Sequence, residues 1–258
     1  SSPVTINAIL VKPGKPIVLA PQWQEAREVI EKIALERGAP LTVIGKYYFY
    51  AEPAHSLSGQ TFILWSREEQ ELINDFISSA GRTDWVPEHY TIPLLGLHQI
   101  ENAATAYAAI KILQLAGIHI PKKAISNGFE SVKWPARFEI VSKDPLIIID
   151  SAHNQDSALR LRLAMDDYLN GKPIILLFGS SEDKDVRGMF SHLLPRVKNI
   201  VATKSEHPRA MSPDMLVELA NQFGKPAIKT QTIEEGLFEA RRLAGKDSVI
   251  IVAGSVFV

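Results

Sequence analysis

Short hydrophobic runs alternate with longer amphipathic stretches from about residue 143 to the end of the chain. The runs lack the polar alternation of a sheet with one wet face, so we expect buried parallel strands joined by helices on both faces. This pattern predicts a doubly wound α/β domain. We predict strands at 146–150, 173–178, 199–203 and 248–254, and helices at 155–169, 184–195, 212–223 and 232–244.

The first half of the chain has a less regular pattern. Its hydrophobic positions predict strands at 15–21 and 41–45 around a helix at 23–37, and two later helices at 99–117 and 121–132. Aromatic, Ser, Gly and Pro residues are scattered between 47 and 91, where we predict irregular structure. Residues 133–145 have the pattern of a linker.

Composition narrows the class of protein. The 258 residues carry 28 Lys and Arg against 29 Asp and Glu, a formal net charge of −1, so nothing indicates a nucleic-acid partner. The absence of Cys excludes disulfides and thiolate ligands, and no apolar run has the length of a membrane span, so no membrane partner is expected. We expect a cytoplasmic monomer.

Polar residues follow three of the predicted strands. Asp150 ends the run at 146–150 and precedes Ser151, Ala152, His153 and Asn154. Gly179 and Gly254 mark two other strand ends, and ligands of doubly wound sheets gather at such carboxyl ends. The alternative is that these residues only form turns.

Two further stretches carry candidate chemistry. Asn102 lies in "GLHQIENAATA", where a polar cap at the start of a helix is the alternative to a binding role. Arg137 lies in "PARFE", and its guanidinium suits bidentate contact with a phosphate. The alternative for Arg137 is a surface pair with Glu139.

These motifs together resemble the folylpolyglutamate synthase and dihydrofolate synthase family of Mur-type ATP-dependent ligases. The chain has "GLHQIENAATA", "PARFE" and "DSAHNQ" where the family has "GRHQ-ENAATA", "PGRFE" and "D-x-AHN-P". "FGSSEDKD" (178–185), "EHPRAMSPDML" (206–216), "AGSVF" (253–257) and "AILVKPGKPIVLAPQ" (8–22) match further family segments. The resemblance implies a Rossmann-like C-terminal domain at 136–258, preceded at 1–135 by the remainder of the central ATPase domain.

The resemblance also implies a reaction. Family members use ATP and Mg²⁺ to join L-glutamate to a folate or dihydropteroate through an acyl phosphate, and their charged intermediates need cationic clamps. By motif match, Asn102 would face the adenine, Arg137 the phosphates and Asp150 the ribose. His153 and Ser255 would lie near the incoming glutamate as the catalytic positions.

One family motif is absent from the sequence. None of the five Gly-Lys pairs, at residues 14, 45, 171, 224 and 245, has a Gly five positions earlier or is followed by Ser or Thr, so there is no G-x-x-x-x-G-K-[ST] phosphate loop. We therefore expect this chain to be a C-terminal portion that is inactive alone. The alternatives are a non-catalytic homologue that binds a nucleotide or a partner, and another Mur-type peptide ligase.

Overall fold

The computed structural model describes residues 11–255, which divide into two compact units. One unit comprises residues up to 93 together with 97–132, and the other comprises 94–96 together with 133 onward. Residues 8–10 and 256–257, which belong to two of the quoted motifs, lie outside the described part of the chain. No helix within 11–255 is long and apolar enough to cross a bilayer.

The first unit contains a parallel strand pair and a separate three-stranded antiparallel sheet with order β3-β4-β5. In the pair, β1 lies beside β2, and residues such as Ala34 and Ala39 form the core with the helix between them. The elements of this unit are β1 (Ile17–Leu19), α1 (Gln24–Glu36), β2 (Leu41–Val43), β3 (Tyr48–Ser56), β4 (Gly59–Ser66), α2 (Gln70–Ser78), β5 (Glu88–Ile92), α3 (Leu97–Leu115) and α4 (Lys122–Ser131).

The prediction of irregular structure between 47 and 91 was wrong. This stretch forms the β3–β5 sheet and α2. β4 and β5 alternate: in β4, Phe62 and Leu64 are buried between the more exposed Thr61 and Ile63, and in β5, Tyr90 is buried between exposed neighbours. Because most of β3 is exposed and contains Pro53, its sequence lacks the hydrophobic run that marks a buried strand.

The second unit is one six-stranded sheet of order β10-β9-β8-β11-β7-β6 with helices between its parallel strands. This arrangement confirms the doubly wound α/β prediction. Its elements are β6 (Glu139–Lys143), β7 (Leu146–Ile149), α5 (Gln155–Tyr168), β8 (Ile174–Phe178), α6 (Val186–Leu193), β9 (Val197–Ala202), α7 (Pro213–Gln222), β10 (Ala227–Lys229), α8 (Ile233–Leu243) and β11 (Val249–Ala253).

The central strands explain why the strands and helices of this unit can be predicted from the sequence. Every residue of β8 and β11 is buried, so both strands are continuous hydrophobic runs. Ser212 caps α7 by accepting the amide of Asp214, and Pro213 occupies the first helical turn. The predicted linker at 133–145 instead contains β6, an antiparallel edge strand whose residues alternate between exposed and half-buried.

Candidate functional site

Three polar strand ends meet at the carboxyl edge of the six-stranded sheet. β11 lies between β8 and β7, so the residues that follow these strands are neighbours. The amide of Asp150 donates to the carbonyl of Val252 at 2.9 Å, and the amide of Gly254 donates to the carbonyl of Ala152 at 3.0 Å. The residues singled out at the ends of β7 and β11 are therefore adjacent in space.

Gly254 is required by this close approach. Its φ is +114°, which favours glycine, and a Cβ there would lie 2.3 Å from the carbonyl oxygen of Gly179 and 2.7 Å from the ring of Phe178. The glycine at this strand end therefore allows the ends of β11 and β8 to come together.

Arg137 lies in a tight turn beside this edge. Its two neighbours, Ala136 and Phe138, both have left-handed backbone conformations, with φ of +56° and +48°. We call residues 136–138 the Arg137 turn. The half-buried guanidinium of Arg137 lies over the ring of Trp134, 5.8 Å from its centroid. The carboxylate of Glu139 accepts the amide of Ala136 at 2.8 Å, a different role from the surface pair with Arg137.

Asp150 connects the end of β7 to the Arg137 turn. The residue is only 8% exposed, and its two carboxylate oxygens accept the amides of Phe138 at 2.9 Å and Ala152 at 2.8 Å. The amide of Ser151 donates to the carbonyl of Ala136 at 2.8 Å. Burial raises the pKa of Asp150 to about 6, although the two amides and the positive charge of Arg137 act in the opposite direction.

His153 and Asn154 have separate roles after this strand. The Nδ1 atom of His153 lies 2.8 Å from the carbonyl oxygen of Ser151, which assigns the ring proton to Nδ1 and leaves Nε2 as an acceptor in the neutral ring. The Asn154 side chain accepts the amide of Ser157 at 2.8 Å, and the Ser157 hydroxyl accepts the amide of Asn154 in return. The Asn of the family motif therefore forms the capping box of α5.

The two remaining predicted site residues, Ser255 and Asn102, lie in different units. Ser255 follows Gly254 and is half-buried at the end of β11. Asn102 is in the other unit, where it is exposed on the second turn of α3, and its amide donates to the Gln99 side chain at 3.2 Å. Because α3 begins at Leu97, Asn102 does not cap this helix.

Sequence reasoning missed the role of Glu139 and the conformation of Ala136. The conformation of Ala136 could have been anticipated, because the family has Gly at this position, and Gly commonly indicates a positive φ. The "FGSSEDKD" motif also supplies contacts that were not assigned. Asp185 caps α6 by accepting the amide of Gly188, and the Lys184 ammonium lies 2.9 Å from the carboxylate of Asp183.

Comparisons with known proteins show what this chain is similar to. The glutamate ligase domain of Mur ligases matches residues 136–256. A probable bifunctional folylpolyglutamate synthase/dihydropteroate synthase from Haloferax volcanii is 30% identical over 168 residues, which are 65% of this chain and 20% of that protein. The dihydrofolate synthase/folylpolyglutamate synthase of Bacillus subtilis is 24% identical over 252 residues, 97% of this chain and 54% of that protein.

Solved structures of folylpolyglutamate synthases and dihydrofolate synthases are similar to this chain. FolC from Escherichia coli in complex with DHPP and ADP has a TM-score of 0.75 and 25% identity, covering 96% of this chain and 52% of its own. A bifunctional folylpolyglutamate synthase/dihydrofolate synthase with Mn, AMPPNP and L-glutamate bound has a TM-score of 0.72 and 25% identity, with the same coverage.

The chain spans about half the length of the Bacillus subtilis relative and about a fifth of the Haloferax volcanii relative. The similarity to the Bacillus subtilis relative extends over 97% of this chain. The six-stranded sheet lies within the part that matches the Mur-ligase domain. Residues 136–256 therefore form a glutamate ligase domain of the Mur-ligase type, and the chain as a whole is similar to folylpolyglutamate synthases and dihydrofolate synthases.

Proposed function

We propose that this chain contributes to the ATP-dependent ligation of L-glutamate to a folate, in folylpolyglutamate or dihydrofolate synthesis. The observation that carries the proposal is the convergence of Asp150, Gly179 and Gly254 at one edge of the sheet, with Arg137 on a turn bonded to that edge. Relatives with this domain are named for the same reactions, and two similar structures hold adenine nucleotides.

The chemistry has two steps. A carboxylate oxygen of the folate attacks the γ-phosphorus of ATP, ADP leaves, and an acyl phosphate forms. The amino nitrogen of glutamate then attacks the acyl carbon, an amide bond forms, and inorganic phosphate leaves. The first step concentrates negative charge on the transferred phosphoryl group, and the second requires a neutral amine.

The residues of the second unit suit these needs. The guanidinium of Arg137 would bind phosphate oxygens, and its fixed charge would oppose the charge that develops during transfer. The unprotonated Nε2 of His153 would take the proton that the glutamate amine loses, because Nδ1 is engaged with the carbonyl of Ser151. Ser255 would orient the same amino acid through its hydroxyl.

Fewer structural observations bear on the roles of Asn102 and of a metal ion. Asn102 is exposed on α3, so its amide is available to the edge of an adenine ring. Within residues 11–255, no group of three or more acidic or His side chains could hold a metal ion. No residue of this chain is assigned as a Mg²⁺ ligand.

The assignment of residues 1–135 to a central ATPase domain and 136–258 to a C-terminal Rossmann-like domain is part of the proposal. A phosphate loop would have to come from sequence beyond these 258 residues, since no G-x-x-x-x-G-K-[ST] motif is present among them. We therefore expect this chain alone to be inactive.

The decisive experiment compares the chain alone with the chain extended by the coding sequence that precedes Ser1 in its gene. Each protein receives ATP, Mg²⁺, radiolabelled L-glutamate and either dihydropteroate, a reduced folate or a UDP-linked peptidoglycan precursor. We expect glutamate incorporation into a folate-type acceptor by the extended protein only, and its loss in Arg137→Ala.

Other outcomes of this experiment would replace the proposal. Incorporation into the UDP-linked acceptor would identify a different Mur-type peptide ligase. Binding of ATP without any turnover in either protein would indicate a non-catalytic nucleotide-binding homologue.

A further inference from the structure

The Arg137 turn is strained in a way that its own sequence does not explain. Left-handed conformations are rare for residues other than Gly, Asn and Asp, yet Ala136 and Phe138 both adopt one. Such conformations persist where surrounding contacts hold them, and they cluster at functional sites. Contacts from the rest of the unit must therefore hold this turn.

Most of these contacts come from the strand end at Asp150. One carboxylate oxygen of Asp150 accepts the amide of Phe138, and the other accepts the amide of Ala152, which fixes the carboxylate from both sides. The amide of Ser151 binds the carbonyl of Ala136. The turn is therefore bonded to the end of β7 on either side of Arg137.

The side chain of Phe138 anchors the same turn in the core. It is 2% exposed, and its ring lies 5.7 Å from that of Tyr168 on α5. With the residue after Arg137 buried and the residue before it bonded to the strand end, the direction in which Arg137 leaves the backbone is determined.

We propose that Asp150 is a positioning residue, whose buried carboxylate holds the Arg137 turn so that the guanidinium is presented to the phosphates. Each oxygen of the buried Asp150 carboxylate accepts one backbone amide, so its observed contacts hold the Arg137 turn and the strand end. This inference rests on the proposed function for the role of Arg137, but the bonding of the turn is independent of it.

The test uses the full-length protein with the variants Asp150→Asn, Arg137→Ala and the double variant. Asn keeps one acceptor oxygen but replaces the other with an NH2 group that cannot accept a backbone N–H, so one of the two hydrogen bonds made by Asp150 is lost and the turn should loosen. We expect kcat/KM for ATP to fall at least about tenfold in Asp150→Asn, the size expected for losing hydrogen bonds to a charged group. The double variant should be no worse than Arg137→Ala, because both changes remove the same contact.

Deoxynucleotides separate positioning from direct contact. If Asp150 acts through Arg137, Asp150→Asn should lose the same factor with ATP, 2′-deoxy-ATP and 3′-deoxy-ATP. A loss that disappears with either deoxynucleotide would show that Asp150 contacts the missing hydroxyl, and it would overturn the proposal.

Asp166→Asn is the matched control for a carboxylate that is only structural. Asp166 accepts hydrogen bonds from Arg162 at 2.8 Å and from Arg196 at 2.9 Å on the same unit. We expect this variant to lower the melting temperature without a selective change in KM for ATP. If it lowered kcat/KM as much as Asp150→Asn, the loss would report general destabilisation and the proposal would fail.

A second measurement keeps the proposal testable if Asp150→Asn is poorly stable. Ala136→Gly should restore part of the activity of Asp150→Asn, because Gly adopts the left-handed conformation without help. Amide exchange in 136–138 should rise in Asp150→Asn while exchange in β11 stays slow. Unchanged exchange at 136–138 would overturn the holding role, whereas a silent Arg137→Ala would instead overturn the proposed role of Arg137 and with it the positioning.

Discussion

The six-stranded sheet of the second unit and the β3–β5 sheet of the first bury their residues in opposite ways. β8 and β11 are buried along their whole length, whereas β4 is buried only at alternate positions and β3 is largely exposed. A sheet covered on both faces has no room for polar side chains along its strands. A sheet with one covered face places a polar or half-exposed residue at every second position.

This difference decides where chemistry can lie. The central strands β8 and β11 contain no polar residue, so polar groups follow them at the strand ends, where neighbouring strands bring them together. In the β3–β5 sheet, aromatic residues fill the covered face, with the ring of Phe62 5.7 Å from Tyr90 and 5.4 Å from Phe129. The first arrangement concentrates polar groups at one edge, and the second builds an apolar layer.

The largest expected effect is on the free energy of unfolding. It is tested by replacing one glycine associated with each sheet. Gly254→Ala should lower the free energy of unfolding by about 3–5 kcal/mol, because its Cβ meets backbone and ring atoms and its φ is positive. Gly59→Ala should cost less, about 2–3 kcal/mol, since its φ is also positive but its nearest contact is the Ile92 carbonyl at 3.1 Å. Urea unfolding measures both, and equal losses would contradict the tighter packing inferred at the carboxyl edge.

The second expected effect is on the pH dependence of stability, which should differ between the two units. The folded pKa of Asp150 is about 6, above its ordinary value of 3.8, so the folded state holds a proton that the unfolded state has released. Stability should therefore fall by about 3 kcal/mol as pH rises from about 4 to 6, and then level off. Asp150→Asn should remove this slope in urea unfolding measured across the same pH range.

The unit that contains the β3–β5 sheet should instead lose stability at alkaline pH. Burial raises the pKa of Tyr90 and Tyr107, so the unfolded chain loses their protons first and stability falls as pH rises above about 10. Tyr90→Phe should flatten that alkaline loss and leave the acid slope unchanged. An alkaline loss of the same size in the variant would contradict the assignment.

Limited proteolysis compares the two units directly. We expect cleavage within residues 1–130 to be about tenfold faster than within 143–258, an opening difference of about 1.4 kcal/mol, because fewer strands in the first unit are buried on both faces. Mass spectrometry of the fragments identifies the surviving part. Survival of the first unit after loss of the second would reverse the prediction.

The smallest expected effect concerns Ala136. Replacing it with Gly should raise the free energy of unfolding by about 0.5–1 kcal/mol, because the strain of a positive φ is removed. Ala244→Gly, at a φ of −71°, is the matched control and should lower stability instead. Gains at both positions would mean that backbone strain at Ala136 is not the cause.

The sequence predicts the six-stranded sheet well because burial on both faces leaves continuous hydrophobic runs at its central strands. It predicts less where burial is partial, as in β3 and β6, whose exposed positions look like loop residues. The residues of the carboxyl edge follow from the ends of those runs. Their contacts do not, because the left-handed conformation of Phe138 and the amide partners of Asp150 depend on the folded backbone.

The two outer strands of the six-stranded sheet also bear on aggregation. β10 at one edge has three residues, and β6 at the other has an irregular register between Ile140 and Ser142 and charged residues at both ends. Short, charged or bulged edges offer a second chain few consecutive backbone groups with which to pair. Although its central strands are apolar, this sheet therefore hinders the addition of a strand from another chain at both of its edges.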